Sequence, residues 1–243
     1  TQSRSSAASD VYKRQLKGFS ILACALLAVG AYFNEAAFPI KLHNAKRDYK
    51  HAAKQKGGIL ATRWSSISRV DIATFRPGIR KIWIDGGTNE SGLYKWDGNL
   101  KKLKPQRWLS IGTAYDLKAG SKPNVLIIGP AGGQEVLFAL SQGARNIDAV
   151  EMDPSIVKLL NKKRFAKYTG FLYQKKRVNF INDEGRAFLR RQPKGSYDVI
   201  QFVNNYTPAA MASGALNLSE TFLLTKESFR DFFEALSPDG VLA

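Results

Sequence analysis

The feature that most restricts this chain is a rhythm that begins at Val125. The apolar run Val125-Leu126-Ile127-Ile128 is ended by Gly129 and followed by a helical pattern over 133–142. The alternation then repeats, with a strand expected over 147–150 and a helix opened by Asp153-Pro154 and running to about Phe165. A strand over 178–181, a helix over 184–191 and a strand over 197–203 follow. Strands alternating with helices of about ten to fifteen residues make parallel βαβ units, and continuous apolar strands need cover on both faces. An α/β, Rossmann-like sheet is therefore expected. Upstream the period is two: Ser68-Arg69-Val70-Asp71-Ile72 and Lys81-Ile82-Trp83-Ile84-Asp85 flank Arg76-Pro77-Gly78, and Asp85-Gly86-Gly87 marks the next turn. That is the pattern of a small antiparallel β unit.

In a parallel sheet, ligands lie beyond the carboxyl ends of the strands, where the strand order reverses. The first strand here ends in Gly129-Pro130-Ala131-Gly132-Gly133-Gln134-Glu135. Gly129, Gly132 and Gly133 allow the backbone to turn tightly and approach a ligand, while the helix that follows aims free N–H groups at the same space. The second strand ends at Glu151, 22 residues after Gly129, the interval of a carboxylate that accepts from ribose hydroxyls. The third ends in Asn182-Asp183-Glu184-Gly185, so Asp183 or Glu184 could accept from an adenine amine; each is equally placed to cap the next helix. Together these elements describe an adenosine pocket. The glycines lack the G-x-G-x-x-G order of dinucleotide binders and the chain has no Tyr-x-x-x-Lys pair, which favours a sulfonium nucleoside over NAD.

Composition removes several other chemistries. Cys24 is the single cysteine, and the two histidines, His43 and His51, share one basic stretch, so no histidine triad or metal site is expected. The formal charge of +17 invites a nucleic-acid reading. The cations, however, are scattered over turns and helix surfaces without interleaved aromatic platforms, so nucleic acid is not the expected partner.

The amino-terminal third reads differently. Residues 10–15, DVYKRQ, resemble a translated sequencing adaptor, and 1–15 are set aside as non-native. Residues 18–33 carry no charge and 36–40 continue the apolar character, short of the roughly twenty residues of a full span. A membrane helix is expected over 16–40. The cations that follow, from Lys41 to Arg63, place the rest of the chain on the cytoplasmic side. The expected organisation is then a basic juxtamembrane linker over 41–65, a β-hairpin domain over 66–108 and a nucleoside-binding domain over 109–243. Val241-Leu242-Ala243 reads as a strand cut off after a Pro-Asp-Gly turn, as in a piece of a longer protein.

Residues 125–154 (VLIIGPAGGQEVLFALSQGARNIDAVEMDP), 183–190 (DEGRAFLR) and Ser196-Tyr197-Asp198-Val199-Ile200 resemble the nucleoside-binding half of spermidine synthases and their membrane-linked relatives. The resemblance covers about 66–243. It implies a class I S-adenosylmethionine-dependent methyltransferase fold, incomplete at its C-terminal end, preceded by the small β unit and the hydrophobic helix. It further implies that S-adenosylmethionine or its decarboxylated form is the bound nucleoside, with Glu151 on the ribose, Asp183 or Glu184 on the adenine, and the three glycines beneath the methionine-derived chain. Two departures stand out. Where spermidine synthases carry the aspartate of GGGDGG, which grips the donor's amine-bearing tail, this chain has Gly132. Where they carry the two carboxylates of D-S-x-D-P, it has Val203-Asn204-Asn205-Tyr206-Thr207.

An amine attacks the carbon beside a sulfonium only when unprotonated, and a carboxylate ordinarily positions and deprotonates it. Methyl transfer asks less, because the donor is already activated. Asn204, Asn205 and Tyr206 are candidates to hold a small-molecule acceptor such as an amine through neutral hydrogen bonds, and Glu220 is the nearest carboxylate that could replace the missing pair. The stretch 204–218 reads as a cover over the pocket. The expected activity is methyl or aminopropyl transfer. The alternatives are a catalytically silent nucleoside-binding domain of a transporter-like membrane protein and an NAD-linked oxidoreductase.

Overall fold

The computed structural model describes residues 2–33, 46–87, 89–103, 112–202 and 222–243, and the chain forms two compact units, Thr1–His43 and Asn44–Ala243. Among the described residues, the first unit contains one helix, α1 (Gln2–Tyr32), continuous through the segment set aside as non-native. Within it Tyr12–Tyr32, 21 residues long, is apolar and long enough to cross a bilayer. Its large side chains, Leu22, Leu26 and Leu27 among them, are exposed.

The second unit begins with α2 (Arg47–Lys54) and β1 (Ile59–Trp64), inside the stretch expected to be a linker. β1 joins β2 (Arg69–Arg76), β3 (Ile79–Ile84) and β4 (Asn89–Leu93) in an antiparallel sheet of order β1-β2-β3-β4. The expected hairpin is β2–β3, turned at Pro77-Gly78. What draws the cationic flank into the fold is Asp71, which is fully buried. Its carboxylate accepts from Tyr49 Oη of α2 (2.6 Å), from Thr62 Oγ1 of β1 (2.6 Å) and from the Arg69 guanidinium. A buried charge is tolerated when it is paired and hydrogen-bonded in this way.

The large sheet is parallel, in the order β7-β6-β5-β8-β9. Its strands are β5 (Asn124–Ile128), β6 (Asn146–Glu151), β7 (Val178–Asn182), β8 (Tyr197–Phe202) and β9 (Leu236–Leu242). The strand order reverses beside β5. Val125 and Ile127 enter one core, shared with Val70, Ile72 and Ile82 of the small sheet, whereas Leu126 and Ile128 enter a second core with Phe188, Ile200 and Phe232. An apolar run with no polar alternation is what burial of both faces requires.

The connecting helices are α3 (Thr113–Leu117), α4 (Gln134–Ser141), α5 (Pro154–Leu160), α6 (Lys163–Tyr168), α7 (Gly185–Leu189) and α8 (Lys226–Ala235). The single helix expected from Pro154 to Phe165 is two, because Lys162 takes an extended backbone and restarts the chain as α6. That break buries Phe165 and lets Tyr168 Oη donate to Gly78 O of the small sheet at 2.7 Å. The expected Pro-Asp-Gly turn falls within β9. Tyr197 pairs with Leu236 and Val199 with Val241, so the residues between bulge out of an edge strand, where proline is tolerated.

Candidate functional site

The turn after β5 is built against the small sheet. Gly133 precedes α4 with φ +90°, and a Cβ there would lie 2.5 Å from Leu172 Cδ2. Gly132 faces β4 so closely that a Cβ would stand 1.8 Å from Gly92 O. Its N–H donates to Ser91 Oγ at 3.2 Å. The backbone of β4 therefore fills the space into which a side chain at 132 would project. Tyr94 Oη donates to Gln134 Oε1 at 2.9 Å, and Tyr173 Oη to Ala131 O at 2.7 Å, so hydroxyls hold the turn from both sides. Ala131 itself has a positive φ of 35°.

Between this turn and strands β3 and β4 lies a cavity of about 180 Å³, walled by Ile82, Ile84, Ile156, Gly129 and Ala131, with Glu90, Ser91, Gln134 and Glu135 as its polar groups. The two acids differ. Glu90 binds Lys81 and accepts from Trp83 Nε1 at 2.8 Å. Glu135 has no cation and no side-chain donor among the described residues. Burial pushes its carboxyl above the usual range, opposed only by its own backbone N–H. Its charge in turn helps raise the hydroxyl pKa of Tyr94, Tyr115 and Tyr173, in each case after burial.

Of the residues expected at the site, Gly129 lines this cavity and Gly132 and Gly133 form the turn that bounds it. Glu151 ends β6 and is buried, and it is not among the residues that line the cavity. Its Oε1 accepts from Asp153 N at 3.0 Å, and the N–H groups of Ala131 and Met152 also reach the carboxylate. Burial dominates and lifts its pKa to about 7, with those N–H groups pulling it down and the Asp153 charge adding to the rise. Glu184 caps α7, accepting from Arg186 N at 3.0 Å and Ala187 N at 2.7 Å. Asp183 accepts from Glu184 N at 2.8 Å and pairs with Arg191. Asp153 caps α5 through Ser155 N at 2.8 Å and accepts from Ser68 Oγ. Asn204, Asn205, Tyr206 and Glu220 lie outside the described residues. No group of three metal-ligating side chains occurs among the described residues.

The family model for the spermine/spermidine synthase domain matches residues 114–243, more than half of the chain and all five strands of the parallel sheet. The chain belongs to this family. Among curated members, the polyamine aminopropyltransferase of Clostridium botulinum (strain Alaska E43 / Type E3) is 30% identical over 154 residues, covering 62% of this chain and 50% of that protein. The enzyme of the same name from strain Eklund 17B / Type B is 32% identical over 120 residues, covering 49% and 38%. The chain thus spans half or less of the curated relatives it matches. The spermidine synthase of Thermotoga maritima superposes with a TM-score of 0.56 at 19% identity, covering 77% of this chain and 57% of that one. A spermidine synthase in complex with the transition-state analogue AdoDATO gives 0.54 at 19% identity, covering 77% and 56%. These likenesses confirm the α/β fold with its parallel sheet, as read from the residues.

Sequence reasoning missed Ser91, Tyr94 and Glu135. β4 carries the first, and its Ser91-Gly92 core has little strand propensity. A signal for Glu135 was present: it lies six residues after Gly129, on the first turn of the helix that faces the ligand space. An acid there also reads as a companion of the helix dipole.

Proposed function

We propose that the chain binds decarboxylated S-adenosylmethionine and transfers its aminopropyl group to an amine. Family membership supports a transferase over an oxidoreductase or a silent module. The single observation that carries the choice of donor is the Glu135 carboxylate, without a cation among the described residues, in the cavity beside the glycine turn. The tail of S-adenosylmethionine ends in both an ammonium and a carboxylate, whereas the decarboxylated tail ends in the ammonium alone. An acid without a counter-ion attracts the second and repels the carboxylate of the first. The cavity, about 180 Å³, suits that tail rather than an entire nucleoside.

Glu151 and Asp183 or Glu184 remain the proposed ribose and adenine contacts. Each already accepts from backbone N–H groups, and a carboxylate has about four acceptor positions, so nucleoside hydroxyls and amines would share oxygens that the fold holds still. In the reaction, the lone pair of the acceptor nitrogen forms a bond to the propyl carbon beside the sulfonium. The carbon–sulfur bond breaks, its electron pair stays on sulfur as a neutral thioether, and the nitrogen sheds a proton. Asn204, Asn205, Tyr206 and Glu220 are the proposed acceptor-side groups. The part of Tyr12–Tyr32 that follows the segment set aside as non-native is the proposed membrane anchor, with the second unit on the cytoplasmic side.

The test is incubation of the chain with decarboxylated S-adenosylmethionine and putrescine, read by mass spectrometry. The expected products are spermidine and methylthioadenosine in equal amounts. Methylated putrescine from S-adenosylmethionine, or nucleoside binding with no product from either donor, would contradict the proposal.

A further inference from the structure

The positive charge of the second unit is concentrated rather than spread. From Pro154 to Asn182 the sequence holds eight Lys and Arg and no Asp or Glu, while 183–243 holds six cations and eight acids. Because β7 and β9 are opposite edges of the parallel sheet, the basic segment lies toward one edge and the acidic segment toward the other. Lys158, Lys162, Lys163, Arg164, Lys167, Lys176 and Arg177 are all exposed. None of them pairs with a carboxylate among the described residues. The small sheet extends the same face. Arg80 stacks 4.1 Å over the Tyr168 ring and feels the repulsion of Arg164, whose guanidinium donates to Leu60 O at 3.0 Å. Ile79, beside Gly78, is a large apolar side chain left about half exposed there.

Unneutralised cations around an exposed apolar residue suit a surface that is anionic and apolar just beneath. The chain carries the means to reach one. The helix Tyr12–Tyr32 is long and apolar enough to span a bilayer, and only residues 34–45 separate α1 from the second unit's first described residues. Those residues extend to at most about 40 Å, so a membrane-spanning α1 would keep the domain within reach of headgroups, whose field acts over about 8 to 10 Å once the two meet. Of the aromatic rings in the basic segment, Tyr168 is already covered by Arg80 and Phe171 is exposed, short of the succession of stacking platforms that single-stranded nucleic acid uses. We propose that the face formed by α5, α6 and the β2–β3 turn docks on anionic lipid headgroups. The proposal rests on the membrane reading of α1 for its tether, but not for its contact surface.

The full chain is reconstituted with vesicles of phosphatidylcholine alone or with about 30% phosphatidylglycerol. Flotation reads anchoring, and amide hydrogen exchange over 154–177 reads docking. Flotation on both compositions is expected, with exchange in this segment slowed about 5-fold or more only where phosphatidylglycerol is present. That protection should vanish in about 0.5 M salt and in the Lys162→Glu, Lys163→Glu, Lys167→Glu triple variant, which should still float. Flotation and protection confined to phosphatidylglycerol vesicles would support docking while removing the anchor. Equal exchange on both compositions would overturn the proposal, as would protection that survives the triple substitution. Protection by poly-uridine but not by vesicles would overturn it in favour of nucleic acid.

Discussion

Glu151 and Glu135 are both carboxylates withdrawn from water, and they are held in opposite ways. Glu151 is clasped by backbone N–H groups from two turns, and burial still raises it to about 7. Because the folded value exceeds the ordinary 4.5, its contribution to stability is complete below about pH 4.5 and fades as pH rises through about 7. At about 1.4 kcal/mol per pKa unit, roughly 3 kcal/mol is lost by neutral pH. Glu151→Gln should therefore flatten the denaturant midpoint between about pH 5 and 8; a variant that keeps the wild-type slope would show that another group causes it. Glu135 lacks such a clasp. An ammonium beside it would lower its raised pKa, so ligand binding should release protons near that pKa. Calorimetry in buffers of different ionisation enthalpy reads this directly, and net proton uptake would contradict it.

At the scale of elements, the decisive contact is between β4 and the glycine turn. Gly132→Ala places a Cβ against Gly92 O, a backbone atom that cannot swing aside. It should cost about 2 kcal/mol or more in chemical denaturation, whereas a loss under about 0.5 kcal/mol would mean that β4 yields easily. The same contact explains what was and was not legible beforehand. The run 125–128 and the turn at Gly129 were readable because burial on both faces and a forced turn leave their marks in composition. β1 was not, because Ile59 to Trp64 adjoins a cationic flank and its place depends on the distant Asp71. β4 was not, because pairing with β3 rather than propensity makes it a strand. Glu184 could be read as cap or adenine ligand, and its contacts within the chain are those of a cap. Gly132 was legible as a departure from the GGGDGG pattern, but its cause, a neighbouring backbone carbonyl, is visible only in three dimensions.

For the molecule as a whole, a formal charge of +17, with the exposed cations of 154–177 lacking a carboxylate partner among the described residues, implies self-repulsion in the folded state. The thermal midpoint should rise by a few degrees between low salt and about 0.5 M. A fall would mean that the ion pairs present, such as Arg186 with Asp231, outweigh the repulsion. Family, fold and cavity meet at one prediction, that Glu135 recognises an ammonium. The most direct measurement is the affinity of the wild-type chain and of Glu135→Gln for decarboxylated S-adenosylmethionine and for its analogue with a propyl group in place of the aminopropyl, the same sulfonium nucleoside without the amine. The account predicts that the wild type favours the amine-bearing nucleoside by about 10-fold or more and that the variant binds the two alike. Equal binding by the wild type, or a preference that survives the substitution, would contradict it.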